Sequence, residues 1–309
     1  MLTKIVFMGS PDFALPTLKA LVENFEVVGV VTKPDKKSGR GQKTSPSPIK
    51  KLALSLGLDV YQPKSLKSSS FLEKLDHWKP DLIIVAAFGK ILPKSVLDYP
   101  KYGCINVHAS LLPRWRGAAP INAAILHGDE YSGVTIMKMA EGLDTGDIIS
   151  QCSIPILGEE TAGSLFVKLS ELGAKLLIDT IPVYLNGKII SRIQDDLIST
   201  YAPMLKKEDG IIDPNKSAMQ ISRQIRAYNP WPGSQLIYNE NILKIHKVSI
   251  FASQTYNIGT RFVHEKKPAL QTLDGILILE RVQKSGKKAI NGEDFLRGVR
   301  DWESENIRI

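Results

Sequence analysis

The stretch KIVFMGSPDFALPTLKALVENFEVVGVVT, residues 4–32, decides the fold. Its first six residues form an almost unbroken apolar run, the composition of a strand buried on both faces. Ser10 and Pro11 follow, a capping residue and a proline suited to the first helical position. Phe13, Ala14, Leu18, Leu21 and Val22 then recur at helical spacing, and residues 26–32 return to a strand-like run. Strand, helix and strand at this length make a βαβ unit. The fold class expected is therefore α/β, a mostly parallel Rossmann-like sheet with helices on both faces. The first turn, MGSP at residues 8–11, has neither GxGxxG nor a Walker lysine, so dinucleotide and nucleoside-triphosphate readings lose their main support.

Downstream the alternation continues. Helices are expected over residues 48–57, 70–78 and 118–127, and strands over 81–88, from 103, and over 133–140. Residues 148–156 alternate like an edge or antiparallel strand, and 161–184 read as a long amphipathic helix. Residues 191–205 read as a linker between a first domain, 1–190, and a second, 206–309. In the second, a helix over 215–226 precedes short strands at 235–238, 243–251, 269–272 and 276–282. Such strands between polar turns suggest a small β-barrel.

At 309 residues, with 43% apolar composition, two domains with full cores are the natural expectation. Cys104 and Cys152 are the two cysteines. They lie far apart, without CxxC spacing, which fits a reducing compartment and argues against a thiolate metal site. Cys104 is read as a packing residue rather than a nucleophile. The longest apolar run, residues 82–88, is too short for a membrane span, and the N-terminus has no targeting pattern, so a cytoplasmic protein is expected. The net charge of +8 is unevenly spread. Residues 33–51 carry seven basic side chains against one acid, and the region after Tyr201 carries seventeen against twelve. A polyanionic partner would account for both.

Chemistry gathers in residues 103–147. Within NVHASLLPRWRGAAP, residues 106–120, Asn106 and His108 stand at i and i+2 of a short strand and so point to one face. Two polar side chains on a buried sheet face need partners. GLDTGD, residues 142–147, places Asp144 in a glycine-flanked turn after an apolar strand. An amide, an imidazole and a carboxylate suit a reaction needing an oxyanion donor, a proton carrier and an orienting acid. His127, before Gly128, reads as a helix terminus, and the small residues 117–119 fit close ligand approach or tight helix packing equally well. No second His or Cys stands at ligand spacing, so no metal is expected.

The combination of FMGSPDFALP, PDKKSGRGQK, FGKILP, NVHASLLPRWRGAAP, GVTIMKMAEGLDTGD and IRAYNPWPG resembles the 10-formyltetrahydrofolate-dependent formyltransferases. The basic segment and IRAYNPWPG narrow the resemblance to the methionyl-tRNA formyltransferase branch. One departure is IDP at residues 212–214, where that pattern usually carries a tryptophan. The resemblance covers essentially the whole chain. It implies an α/β catalytic domain, a C-terminal tRNA-binding barrel resembling the OB fold, 10-formyltetrahydrofolate as co-substrate and initiator methionyl-tRNA as acceptor. Carried over residue by residue, the catalytic trio falls on Asn106, His108 and Asp144, and the folate-contacting segment on Ser110, Leu111, Leu112 and Pro113.

Two glycines flank Arg40, and the segment 33–45 is expected to be a mobile loop that grips the acceptor end of tRNA, with Arg40 foremost and Lys43 assisting. A monomer is expected. Three other readings stay open on sequence alone: a formyltransferase for a small amine, a hydrolase releasing formate from the folate, and a non-enzymatic RNA-binding module. The first needs no basic segment, the second shares the trio, and the third has no use for it.

Overall fold

The computed structural model describes residues 3–38, 43–239 and 241–303. The chain divides into two compact units. The first comprises Met1–Pro120, Tyr131–Pro155 and Phe166–Ala202; the second comprises Ile121–Glu130, Ile156–Leu165 and Pro203–Ile309.

The first unit is built on a seven-stranded sheet: β1 (Lys4–Gly9), β2 (Glu26–Val31), β3 (Val60–Tyr61), β4 (Leu82–Ala86), β5 (Cys104–His108), β6 (Tyr131–Lys138) and β7 (Ile148–Pro155). In space the order is β7-β6-β5-β4-β1-β2-β3. Strands β1 to β5 are parallel, while β6 runs antiparallel to β5 and β7 antiparallel to β6. β1 is flanked by β2 and β4, so the chain leaves it in one direction and returns on the other side. In open α/β sheets ligands bind beyond the carboxyl ends of the strands at such a reversal.

Beyond the exposed Lys4, strands β1 and β4 are free of charged and polar side chains because both faces are covered. On one face Val6, Met8, Ile83, Val85 and Cys104 pack with Phe71, Leu75 and Trp78 of the helix Ser69–Trp78. The close fit there is set at Gly29, where the Trp78 ring occupies the space a Cβ would need. Against the other face, Gly173 of the helix Ala162–Leu185 rests on Val107, and a Cβ at that position would lie 2.7 Å from Val107 Cγ1. Among the described residues no helix is long and apolar enough to cross a membrane.

The stretch 191–202 is hydrogen-bonded along the first unit. Arg192 exchanges backbone hydrogen bonds with Ile148, and Tyr201–Ala202 pairs in parallel with Arg116–Gly117. The expected barrel region is a barrel-like antiparallel sheet of β8 (Ser234–Tyr238), β9 (Asn241–Phe251), β10 (Arg261–His264), β11 (Lys267–Gln271), β12 (Ile276–Lys284) and β13 (Ile290–Asn291). Its order is β8-β9-β12-β11-β10, with β13 added on β12. Register shifts between Ile245 and Val248 bend the long β9. The helix Ala218–Ala227 starts at a capping box of Ser217 and Gln220, and it buries Ile221 and Ile225 against Leu243, Leu277 and Leu279.

Candidate active site

β5 lies between β4 and β6, with Asn106 opposite Val85 and Met137 and His108 opposite Thr135. Cys104, Asn106 and His108 therefore share one face of the sheet. Cys104 is buried, its thiol donates to the carbonyl of Val96 at 3.5 Å, and burial pushes that thiol up to about 12, aided by the charge of Asp98. It is a packing group, as its sequence context implied. Asn106 is half-buried, and its side-chain amide has no hydrogen-bond partner among the described residues. A polar group in that position is free to meet a ligand.

His108 is nine-tenths buried. Its Nε2 lies 3.0 Å from the carbonyl oxygen of Trp115. A carbonyl only accepts, so Nε2 carries the proton and donates. Nδ1 is thereby turned to Asp144, whose Oδ2 lies 3.6 Å away. That distance is an ion-pair separation, beyond a hydrogen bond. The same Oδ2 accepts from the backbone N–H of Gly117 at 2.8 Å, so the acid is aimed by the backbone and faces the imidazole across a gap. Asp144 and Trp115 both hold left-handed backbone, at φ of 52° and 62°. Such conformations in non-glycine residues persist where surrounding contacts over-determine them, and functional sites are where they cluster.

The segment after His108 is tied to β6. Thr135, fully buried, donates its hydroxyl to the carbonyl of Ser110 at 2.6 Å and accepts from the N–H of Leu112 at 3.1 Å. Gln151 on β7 donates both to Thr135 Oγ1 and to the carbonyl of Leu112, each at 2.9 Å. Ser110 and Leu112 are buried, and the Ser110 hydroxyl donates to the carbonyl of Arg114 at 2.6 Å. Leu111 and Pro113 remain half-exposed. The four residues taken for the folate segment thus split: two anchor the turn and two present it.

Several site-forming residues carry no signal in the linear sequence. Thr135 and Gln151 read as ordinary strand residues, and Gln194 lies in the expected linker. Arg116 is nearly fully buried; its Nε donates to Gln194 Oε1 at 3.0 Å and its Nη2 to Asp196 at 2.7 Å. Burial opposes its charge, but the Asp196 and Tyr201 partners hold its guanidinium above the ordinary value.

The basic segment leaves the same carboxyl edge of the sheet. Its base is held by Gln62, which donates to the carbonyl of Lys33 at 2.7 Å and to Asp35 at 2.8 Å, and by Lys50, which meets Asp35 at 2.7 Å. The hydrogen bond from Lys50, then that from Gln62, holds the Asp35 carboxyl below its ordinary range. Lys36–Ser38 pairs antiparallel with Lys43–Ser45, so the expected loop has a two-stranded base. Arg40 lies outside the described residues, between these strands. Among the described residues no group of three His, Cys, Asp or Glu is disposed to hold a metal ion.

A family model described as formyl transferase matches residues 3–181, and one described as formyl transferase, C-terminal domain, matches residues 204–300. The methionyl-tRNA formyltransferase of Clostridium novyi is 46% identical over 298 residues, covering 96% of each chain. That of Bacillus subtilis is 46% identical over 302 residues, covering 96% of this chain and 95% of its own. Among solved structures, an N-formyltransferase from Helicobacter canadensis, in complex with folinic acid and dTDP-3-aminofucose, superposes with a TM-score of 0.68. At 22% identity, over 90% of this chain and 99% of its own, that likeness shows the shared fold.

Proposed function

Because the chain belongs to the formyl transferase family, we propose that it transfers the formyl group of 10-formyltetrahydrofolate to the α-amine of methionyl-initiator tRNA. The observation that carries this reading is the likeness, through both units, to relatives named methionyl-tRNA formyltransferase. The folate supplies the formyl group already activated on N10. The acceptor amine must be neutral to attack, the formyl oxygen gains negative charge, and the departing nitrogen gains a proton.

Each residue of the trio meets one of those needs. The uncommitted amide of Asn106 donates to the oxygen that becomes negative, and losing such a donor typically slows a reaction about 10²–10³-fold. His108, whose Nε2 is committed to Trp115, moves protons through Nδ1, a role usually worth about 10²–10⁴. Asp144, aimed by Gly117, stabilises the positive charge that develops on the imidazole. The half-exposed Leu111 and Pro113 lie along the folate, and Ser110 and Leu112 hold the turn that presents them.

In this reading residues 1–190 form the catalytic domain and 206–309 the tRNA-binding domain. Arg40 and Lys43 contact the acceptor end of the tRNA, and the basic excess of the second domain meets phosphates. The protein works as a cytoplasmic monomer without a metal. The test is to supply formyl-labelled 10-formyltetrahydrofolate with charged initiator tRNA, with free amines, or with water alone. Label on methionyl-tRNA is the expected result. Label appearing only on a free amine, or only as formate, would overturn the assignment.

A further inference from the structure

Residues 190–198 are exposed or, at Ser191, half-buried, but Gln194 is buried at 6% exposure, while its neighbours from Asp195 to Ile198 face solvent. A buried amide in an otherwise exposed stretch is held by what it touches. Its Nε2 donates to the carbonyl of Asp144 at 2.8 Å and to that of Gly146 at 2.7 Å. Its Oε1 accepts from Arg116 Nε at 3.0 Å. The three partners fix the amide in one orientation, because only the NH₂ can serve two carbonyls and only the oxygen can serve the guanidinium.

The rest of this stretch holds the other partner of His108. The N–H of Trp115 donates to Thr200 Oγ1 at 2.9 Å, and the N–H of Arg116 to the carbonyl of Thr200 at 2.9 Å. Thr200 in turn donates its N–H to the carbonyl of Pro113, and Ala118 donates to Ala202. The acceptor of the imidazole N–H, the acid facing its other nitrogen, and the N–H that aims this acid are thus fastened by one segment, 194–202. The turn is also held at Gly146, which presses against the carbonyl of Lys138 so closely that no Cβ fits.

We propose that residues 194–202 are a positioning strap for the catalytic pair, and that Gln194 is its central positioning residue. By bridging Arg116 to two carbonyls of the Asp144 turn, it holds a left-handed aspartate at the one place where its carboxylate meets both Gly117 and His108. The inference rests on the catalytic reading of His108 and Asp144 given above. Misplacing a reacting group by about 1 Å can slow a reaction on the order of 10²-fold, so loss of the strap should appear in kcat.

The test is a double-mutant cycle on the full chain. Gln194→Met keeps the length and removes both donors and the acceptor. Expected are a fall in kcat of about tenfold or more, with KM for folate and tRNA within about twofold, and less than about twofold further loss when Gln194→Met is added to Asp144→Asn. A role confined to folding would give the same fractional loss in both backgrounds, and that result overturns the proposal, as does an unchanged kcat in the single variant. If Gln194→Met does not fold, the cycle is repeated with Gln194→Glu, which retains an acceptor for Arg116 but offers no donor to the two carbonyls. The same outcomes then decide. The wild-type reaction separates this inference from the one it rests on. A wild type that formylates another amine instead of methionyl-tRNA overturns the acceptor assignment, and the cycle is then run on that amine.

Discussion

Replacing Thr135 by valine removes one oxygen and keeps the shape of the side chain, at a residue with no solvent exposure. That oxygen is a junction: it donates to the Ser110 carbonyl at 2.6 Å and accepts from the Leu112 N–H at 3.1 Å and the Gln151 amide at 2.9 Å. Gln151 retains the Leu112 carbonyl as an alternative, so its loss is small. Ser110 and Leu112 are both buried, and each buried polar group left unsatisfied costs roughly 1–3 kcal/mol. Two such groups together cost roughly 2–6 kcal/mol, and about 3 kcal/mol remains once the apolar gain of the added methyl is set against them. For a unit of this size that corresponds to a melting point lower by roughly 6–12 °C. Urea unfolding at constant m-value reads the loss directly. Because the same turn presents Leu111 and Pro113, kcat/KM for 10-formyltetrahydrofolate should also fall about tenfold, equivalent to about 1.4 kcal/mol. A Thr135→Val protein less than 1 kcal/mol weaker than the wild type, with unchanged folate kinetics, would refute the idea that this hydroxyl organises the turn.

Other perturbations have equally definite outcomes. Arg40→Ala should raise KM for the tRNA while leaving folate kinetics intact, and should lower the salt slope of tRNA affinity by about 1, as measured by binding titrations in increasing salt; an unchanged tRNA KM at physiological salt would remove Arg40 from the interface. A disulfide reagent at pH 8 should modify Cys152 in the native protein and reach Cys104 only after denaturation, since burial holds the Cys104 thiol up near 12; mass spectrometry of the modified peptides decides this. Asp35→Asn should weaken the protein at neutral pH. The Asp35 carboxyl is depressed in the fold by Lys50 and Gln62, so the stability it contributes is present above its unfolded value of 3.8 and is lost as pH falls through the depressed folded value. The urea midpoints of variant and wild type should therefore converge below that pH. Gly29→Ala should cost about 1–3 kcal/mol by overpacking, because the Trp78 ring already fills the site; thermal unfolding measures it.

Local periodicity made the main elements readable. The βαβ unit of residues 4–32 is Lys4–Gly9, Leu15–Asn24 and Glu26–Val31, and the long helix expected over 161–184 is Ala162–Leu185. Asn106 and His108 share a face because strand side chains alternate, whatever the strand pairs with. Cys104, a lone cysteine in a strand, likewise reads as a packing residue, since free cysteines are among the most buried side chains. The strand Arg261–His264 and the helix Gly292–Arg297 were not anticipated, being short and only weakly patterned. The pairing of Lys36–Ser38 with Lys43–Ser45 was missed because its residues are polar and carry no burial pattern.

The amino-acid sequence by itself determined the long, strongly patterned elements and which face of β5 carries the amide and the imidazole, because both follow from repeats of two and of about 3.6 residues. Only the tertiary structure decided where the acid points and what holds it. Asp144 meets Gly117 across 27 positions of chain and depends on Gln194 across 50, in a backbone conformation that local propensity disfavours. Contacts of that span leave no period in the sequence. They exist because the packed sheet brings distant segments together, where buried carbonyls and amides must find one another.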